Sequence, residues 1–150
     1  ARANENKRTE AYKQASCVFI FIGTGAEPDT AGLIKAALDA GKRVFVPRCL
    51  KKPVMEAVEV TAATEYEPGA FGIPEPIGEA CDKSLLDLAI IPCVTVTKDG
   101  WRLGHGAGFY DHFLKDTNIF KLCICFEKLV SRSVPVSSHD IRMDSVITEA

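Results

Sequence analysis

The sequence predicts an α/β fold with three layers, α/β/α, built on a mostly parallel sheet with an antiparallel edge. Short, uninterrupted apolar runs such as residues 16–22 are typical of strands that are covered on both faces. A segment with helical periodicity separates the first two of these runs, which implies a right-handed parallel crossover. The 150 residues suit one domain with one core, so we expect residues 1–150 to fold as a single unit.

The first strand is predicted at residues 16–22, which read Ser-Cys-Val-Phe-Ile-Phe-Ile. Residues 1–15 before it are polar and charged, and they fit a short solvated helix. Residues 23–29 form the loop at the carboxyl end of the strand, which is where ligands gather in open α/β sheets. A carboxylate in such a loop is usually solvated, but this position makes Glu27 a candidate ligand contact.

A helix is predicted next, with Asp29 or Thr30 as its cap and about Ala40 as its last residue. Gly41 ends it, because glycine readily adopts the left-handed conformation that follows many helices. Residues 42–47 then form the second strand, parallel to the first.

An edge-proximal strand is predicted at residues 54–60, where apolar and polar residues partly alternate. Met55 at its start is expected to be a core or pocket-wall residue. Residues 61–80 are rich in proline and glycine and are predicted to form a long loop, which is more often functional than idle. Residues 84–91 are predicted to be the third parallel strand and the central one.

The second half of the chain is predicted to close the sheet. Its elements are an alternating strand at 94–97, a hairpin-type turn at 98–100, a helix at 108–115, a strand at 121–126, a loop at 131–141 and a closing edge strand at 143–148.

Composition excludes several classes of protein. A hydrophobic content of 47%, a net charge of −2 and a pI near 5.9 are those of an ordinary globular protein, not of a nucleic-acid or anionic-membrane binder. No apolar run approaches the roughly 20 residues of a membrane helix. The polar N-terminus also lacks the apolar core of a secretory signal. We therefore expect a soluble, cytoplasmic protein.

The six cysteines mostly lie within or beside strand-like segments. No Cys-x-x-Cys pair or cysteine–histidine spacing indicates zinc. Reduced thiols are the expectation.

The strongest motif is the run from Gly100 to Asp111, where Gly104, Gly106 and Gly108 alternate after Arg102. Glycine allows the backbone to approach a ligand closely. A helix opening after the loop directs free N–H groups at it, and a guanidinium suits phosphate. Asp111 offers the oxygen ligands that magnesium prefers. The residues alone leave open a glycine-rich surface turn with a flanking ion pair, since the pattern is neither a dinucleotide fingerprint nor a P-loop.

The same region resembles a known family. Segments 87–92 (Asp-Leu-Ala-Ile-Ile-Pro) and 99–114, with its Gly-x-Arg-Leu-Gly-x-Gly-x-Gly-Phe-Tyr-Asp core, are similar to the 5-formyltetrahydrofolate cyclo-ligases, also called methenyltetrahydrofolate synthetases. The acidic loop at 27–30, the Phe-Gly-Ile-Pro-Glu-Pro segment at 71–76 and an aspartate before a Val-Ile-Thr strand at 144–148 extend the resemblance over nearly the whole chain.

The resemblance implies an ATP-dependent ring closure that converts 5-formyltetrahydrofolate to 5,10-methenyltetrahydrofolate, with ATP and Mg²⁺ as cofactors. It assigns catalytic roles to Arg102 and Tyr110; nucleotide binding to Arg102, Gly104, His105, Gly106, Ala107, Gly108, Phe109 and Tyr110; folate binding to Glu27, Met55 and Phe71; and magnesium to Asp111 and Asp144. The enzyme is expected to be a monomer that binds a small-molecule folate and neither nucleic acid nor membrane.

The chain departs from the family at several positions. Family members usually carry an arginine at His105, a glycine or lysine at Ala107 and a tyrosine at Phe109, and their Gly-x-Ala-Phe-Asp stretch is replaced here by residues 93–97. Only 26 residues precede Glu27, so we expect the chain to lack the family's basic N-terminal helix.

Two other classes stay open on the residues alone. One is a non-catalytic folate- or nucleotide-binding relative that keeps the pocket. The other follows from fold alone, because similar three-layer sheets serve sugar-phosphate isomerases and CoA-transferases.

Overall fold

The structure, a computed structural model, describes residues 10–23, 27–69, 73–93, 95–103, 108–132 and 141–148. Residues 10–14 are helical, and two further helices follow, α1 (Ala31–Asp39) and α2 (Phe109–Leu114). The strands are β1 (Cys17–Ile20), β2 (Arg43–Cys49), β3 (Met55–Val60), β4 (Tyr66–Pro68), β5 (Pro74–Pro76), β6 (Ala80–Cys81), β7 (Leu88–Ile91), β8 (Thr95–Thr97), β9 (Arg102–Leu103), β10 (Phe120–Ile124), β11 (Val130–Ser131) and β12 (Ser145–Ile147).

The main sheet has seven strands in the order β12-β10-β7-β1-β2-β3-β6. The five from β12 to β2 are parallel, and β3 and β6 run antiparallel at one edge. This confirms the α/β class and the antiparallel edge. Of the predicted central strand at 84–91, Leu88–Ile91 form β7, which is the middle one of the five parallel strands, whereas β1 is the middle one of all seven. The predicted start was wrong, since Lys83–Leu85 form a 3-10 helix. Both strands are apolar and fully buried, so their composition could not order them.

The unit β1–α1–β2 is the predicted parallel crossover. Gly41 follows α1 with a φ of +81°, as the prediction requires. Thr30 begins the helix without a side-chain cap. Its Oγ1 instead donates to the Phe21 carbonyl at 2.6 Å and accepts from the Gly23 N–H at 3.1 Å, while Asp29 Oδ1 accepts from the Ala31 N–H at 3.0 Å. Thr30 thus closes the base of the loop after β1.

The segment 61–80 is more ordered than the predicted loop. It contains the antiparallel pair β4–β5 and the edge strand β6, which pairs with β3. The first and last residues of β5 are prolines. Because proline is rare within strands, the sequence pattern does not predict a strand here.

A second, three-stranded sheet lies outside the main one, in the order β11-β8-β9. Strands β8 and β9 form the predicted hairpin, and Gly100 in its turn has a φ of +99°. Arg102 is the first residue of β9, and the hairpin places it at the carboxyl end of β7.

Each face of the main sheet buries its own core. Phe19, Phe45 and Ile91 lie on one face with Phe113 and Leu114 of α2. The opposite face packs against α1 and residues near the helical segment 10–14. This arrangement gives the three layers that the sequence predicts. Among the residues that the structure describes, no helix is long and apolar enough to cross a membrane.

Candidate active site

Arg102 reaches the carboxyl end of β7. Its Nε donates a hydrogen bond to the carbonyl of Pro92, the residue that follows the strand, at 2.9 Å. Arg102 is 8% exposed, far less than expected of a phosphate contact at the surface. A buried guanidinium needs partners, because the transfer of an unpaired charge from water to the protein interior costs several kcal/mol.

The second partner of Arg102 is Asp111, on the first turn of α2. The distance from Arg102 Nη1 to Asp111 Oδ1 is 3.8 Å, and the Ile141 N–H donates to the same oxygen at 3.2 Å. Arg102 and Asp111 therefore join three parts of the chain: the end of β7, the start of α2 and the segment that leads to β12.

Tyr110 lies next to this pair. Its ring centroid is 5.3 Å from the guanidinium carbon of Arg102, a cation–π arrangement, and its edge meets Phe19 at a centroid distance of 6.4 Å. Burial raises the pKa of the Tyr110 hydroxyl well above its usual range, and the charge of Arg102 only partly opposes this shift. Tyr110 therefore stays protonated at neutral pH and can donate a hydrogen bond, but it cannot act as a base.

Glu27 and Cys49 lie close enough to Tyr110 that their charges add to the rise in its pKa. Glu27 is partly buried in the loop beyond β1, and Cys49 ends β2. The loop of Glu27, a predicted folate contact, and the end of β2 thus both lie within electrostatic range of Tyr110, a predicted nucleotide contact. The role of Glu27 as a ligand contact stays a prediction.

Cys49 has a carboxylate neighbour that the sequence reading did not select. Its backbone N–H donates to Glu75 Oε2 at 2.7 Å, and Glu75 is 9% exposed. Burial, followed by the negative charge of Glu75, raises the pKa of the Cys49 thiol to about 11. The signal that could have found Glu75 is the Pro-Glu-Pro triplet, where an acidic residue lies inside a stiff and otherwise apolar segment.

Met55 begins β3 as the cross-strand partner of Cys49. It is 6% exposed and belongs to the core cluster that contains Phe19 and Phe113. Cys49, Phe109 and Tyr110 pack against the same cluster. Met55 is therefore part of the core cluster on which Tyr110 packs, and a role in the pocket wall stays a prediction.

Gly108, the last glycine of the motif, precedes α2 with a φ of +71° and a ψ of +13°. This left-handed conformation is the physical reason for glycine at the position. A β-carbon added there would lie 4.0 Å from Cβ of Pro53 in the loop between β2 and β3. The predicted site residues Gly104, His105, Gly106, Ala107 and Phe71 lie outside the described residues.

Asp144 lies where β10 and β12 begin. Its Oδ2 accepts from the Lys121 N–H at 2.7 Å and is 3.2 Å from Lys121 Nζ, while its own N–H donates to the Lys121 carbonyl at 2.7 Å. Lys121 is level with Ala89 in the sheet, three residues before the Pro92 that Arg102 contacts. Asp144 is thus placed by strand pairing, about 10 Å nearer the amino end of the sheet.

The structure brings together Arg102, Tyr110, Asp111, Glu27 and Met55 at the carboxyl end of the sheet, and it gives Asp144 a separate partner. Within the part of the chain that the structure describes, no group of three or more histidine, cysteine, aspartate or glutamate residues could hold a metal ion. Metal binding by Asp111 and Asp144 stays a prediction.

This geometry can be compared with known proteins. The family model for the 5-formyltetrahydrofolate cyclo-ligase family matches residues 2–149. The chain is 34% identical over 140 residues to the "Probable 5-formyltetrahydrofolate cyclo-ligase" of Schizosaccharomyces pombe, covering 81% of this chain and 69% of that one. It is 29% identical over 156 residues to the 5-formyltetrahydrofolate cyclo-ligase of Mus musculus, covering 92% and 75%.

A solved structure agrees. The NMR structure of the 5,10-methenyltetrahydrofolate synthetase of Aquifex aeolicus has a TM-score of 0.78 and 25% identity, covering 99% of this chain and 80% of that chain. The match in sequence spans all of the elements that build the site, from the loop of Glu27 to β12. The chain belongs to the 5-formyltetrahydrofolate cyclo-ligase family.

Proposed function

We propose that the protein catalyses the ATP-dependent cyclisation of 5-formyltetrahydrofolate to 5,10-methenyltetrahydrofolate, releasing ADP and phosphate. The observation that carries the proposal is the convergence of Arg102, Tyr110 and Glu27 at the carboxyl end of the sheet, in a chain that the family model matches over residues 2–149.

The reaction needs activation of a poor leaving group. The formyl oxygen attacks the γ-phosphorus of ATP, and ADP leaves. The N10 amine of the folate then attacks the formyl carbon, loses its proton, and expels the oxygen as phosphate. The protein mainly has to hold two substrates in line and compensate negative charge, since it supplies no covalent nucleophile.

The chain offers groups for each task. Arg102 is a permanent positive charge that is fixed in orientation by Pro92 and Asp111, and we assign it to the nucleotide phosphates. The backbone from Gly104 to Gly108 is assigned to a phosphate cradle. Tyr110, protonated and next to Arg102, is assigned to hydrogen-bond donation between the two substrates. Because the hydroxyl stays protonated, we assign Tyr110 to orienting the substrates by hydrogen bonding and not to general acid–base catalysis.

The folate side is assigned to Glu27, Met55 and Phe71. Met55 contributes an apolar floor, and Glu27 contributes a carboxylate that can accept hydrogen bonds from the N–H groups of the pterin ring. The charge of Glu27 raises the pKa of Tyr110, and Met55 belongs to the core cluster against which Tyr110 packs. We therefore expect the pterin and the triphosphate to meet near Tyr110.

Of the two carboxylates assigned to magnesium, we propose only Asp111 as a direct ligand. Asp111 fits a ligand role, because its side chain is partly exposed and it lies in the first turn of α2, three residues after Gly108 of the glycine motif. Oδ2 of Asp144 is already bonded by the amide and the ammonium group of Lys121, which suits a structural role better than direct ligation. When bound, the ion would neutralise charge on the phosphates.

The test is optical, because methenyl-folate absorbs in the near ultraviolet and its formyl precursor does not. Purified protein mixed with ATP, Mg²⁺ and 5-formyltetrahydrofolate should develop the methenyl band, and omission of ATP should abolish it. If the folate raises the melting temperature but no band develops, the protein is a folate-binding module and not a ligase. We also expect a cytoplasmic monomer; ultracentrifugation of the purified protein would test the oligomeric state.

A further inference from the structure

The hairpin β4–β5 is fixed to the carboxyl end of β2 by two charged side chains. Arg48 Nη1 donates to the Gly78 carbonyl at 2.6 Å and to the Pro76 carbonyl at 3.3 Å. Glu75 Oε2 accepts from the Cys49 N–H at 2.7 Å. Arg48 and Cys49, consecutive residues of β2, therefore both donate to the segment around β5, and β5 cannot slide along β2 without breaking charge-assisted hydrogen bonds.

Glu75 occupies a position that is shaped for it. A β-carbon added at Gly69, on the facing side of the hairpin, would collide with the side chain of Glu75. The carboxylate is nine-tenths buried, and a buried carboxylate is retained only when its surroundings compensate the loss of water. Because this carboxylate binds the end of β2 near the proposed active site, we expect it to fix the position of that strand end.

Cys49 connects Glu75 to the chemistry. It packs against the same core cluster as Tyr110, and Met55 lies opposite it across the β2–β3 pair. A shift of the Cys49 backbone would therefore disturb Met55 and the core cluster on which Tyr110 packs. In the sequence, the predicted folate contact Phe71 lies between β4 and β5.

We propose that Glu75 is a positioning residue for the folate substrate: by holding the Cys49 amide it fixes the end of β2 and the β4–β5 hairpin as one wall of the pocket. The proposal rests on the function proposed above. Glu75 is not proposed to contact the substrate, because its Oε2 accepts the hydrogen bond from the Cys49 N–H. The role requires a hydrogen-bond acceptor and not a charge.

Two substitutions at one position separate these requirements. Glu75→Gln keeps an oxygen for the Cys49 N–H, whereas Glu75→Leu keeps the bulk and removes the acceptor. We expect Glu75→Leu to raise KM for 5-formyltetrahydrofolate at least tenfold and to leave KM for ATP within twofold. Glu75→Gln should restore KM for the folate to within threefold of the wild type. Hydrogen exchange of the Cys49 amide should be slow in the wild type and in Glu75→Gln, and fast in Glu75→Leu.

Glu59 provides the matched control. It lies on β3 near the other end of the β2–β3 pair, where it holds Arg43 through hydrogen bonds of 2.8 and 3.0 Å. Glu59→Leu also removes a carboxylate from this strand pair, but it should not change KM for either substrate by more than twofold.

Several results would overturn the inference. Equal changes in both KM values, or a lower melting temperature with both KM values unchanged, would leave Glu75 with a purely structural role. A folate KM in Glu75→Gln as high as in Glu75→Leu would show that its charge contacts the substrate. Calorimetric binding of 5-formyltetrahydrofolate without ATP separates this inference from the activity. If no methenyl band develops but Glu75→Leu still weakens folate binding tenfold, the proposed function fails and the role of Glu75 stands.

Discussion

Arg102 Nη1 lies 3.8 Å from Asp111 Oδ1, and the Ile141 N–H donates to that same carboxylate oxygen at 3.2 Å. The guanidinium is therefore held in place before any nucleotide binds. Such preorganisation favours charge compensation in phosphoryl transfer, since no reorganisation is needed at the moment of reaction. Because the same contacts hold β7, α2 and the segment before β12 together, the stability of the fold is coupled to the positive charge of Arg102 that the site requires.

The first prediction concerns that coupling. Arg102→Ala should lower the free energy of unfolding by about 2 kcal/mol, because the Pro92 carbonyl loses its donor and Asp111 loses its cation. Arg102→Lys keeps the charge but lacks the planar fork, so it should recover part of the stability and less of the activity. Chemical denaturation and KM for ATP measure the two effects. An Arg102→Ala variant with an unchanged KM for ATP would limit Arg102 to a structural role.

The second prediction concerns alkaline pH. Burial raises the pKa of Cys49 from 9.0 to about 11, so the folded protein holds this proton at pH values where the unfolded chain has released it. The stability from this group is thus complete below pH 9 and is lost as the pH rises from about 9 to 11. Melting temperatures across this range should fall less steeply in Cys49→Ala than in the wild type. Parallel slopes in the two proteins would contradict the raised pKa.

Much of the main sheet could be predicted from local pattern. The apolar run at β1, the Gly41 stop after α1 and the turn at Gly100 each follow from the requirements of one short segment. The order of β1 and β7 in the sheet could not be predicted, because both strands are apolar and fully buried, and such a composition does not indicate which strands lie next to them.

At the site, the sequence points to single residues but does not reveal the contacts between residues that are distant in the chain. Glu27 was selected from its loop, and the structure places it near Tyr110. Glu75 was missed because its partner, the Cys49 amide, lies 26 residues away in the chain. The bond between Asp144 and Lys121 was missed for the same reason, since it depends on the pairing of β10 with β12.

The third prediction separates the two carboxylates assigned to magnesium. Asp111→Asn should raise the Mg²⁺ concentration needed for half-maximal activity at least tenfold, because an amide binds the ion more weakly than a carboxylate does. Asp144→Asn should change this concentration less than threefold and should mainly lower the melting temperature, since it weakens the pair with Lys121. Magnesium titrations of the two variants decide the matter. If Asp144→Asn shows the larger shift in magnesium requirement, Asp144 is a ligand after all.

The fourth prediction uses two glycines with similar positive φ values. Gly108 and Gly41 have φ values of +71° and +81°, and an added methyl group meets open space at Gly41 and only an ordinary contact with Pro53 at Gly108. Alanine at either position should therefore cost a similar amount, about 1 kcal/mol, for the left-handed conformation. Gly41 ends α1, whereas Gly108 closes the glycine motif.

Only Gly108→Ala should therefore affect the nucleotide. We expect its KM for ATP to rise at least fivefold while KM for the folate stays within twofold, and Gly41→Ala should change neither constant by more than twofold. Because the two variants lose about the same stability, a difference in KM for ATP cannot be attributed to unfolding. Equal values of KM for ATP in Gly108→Ala and Gly41→Ala would remove the glycine motif from the nucleotide site.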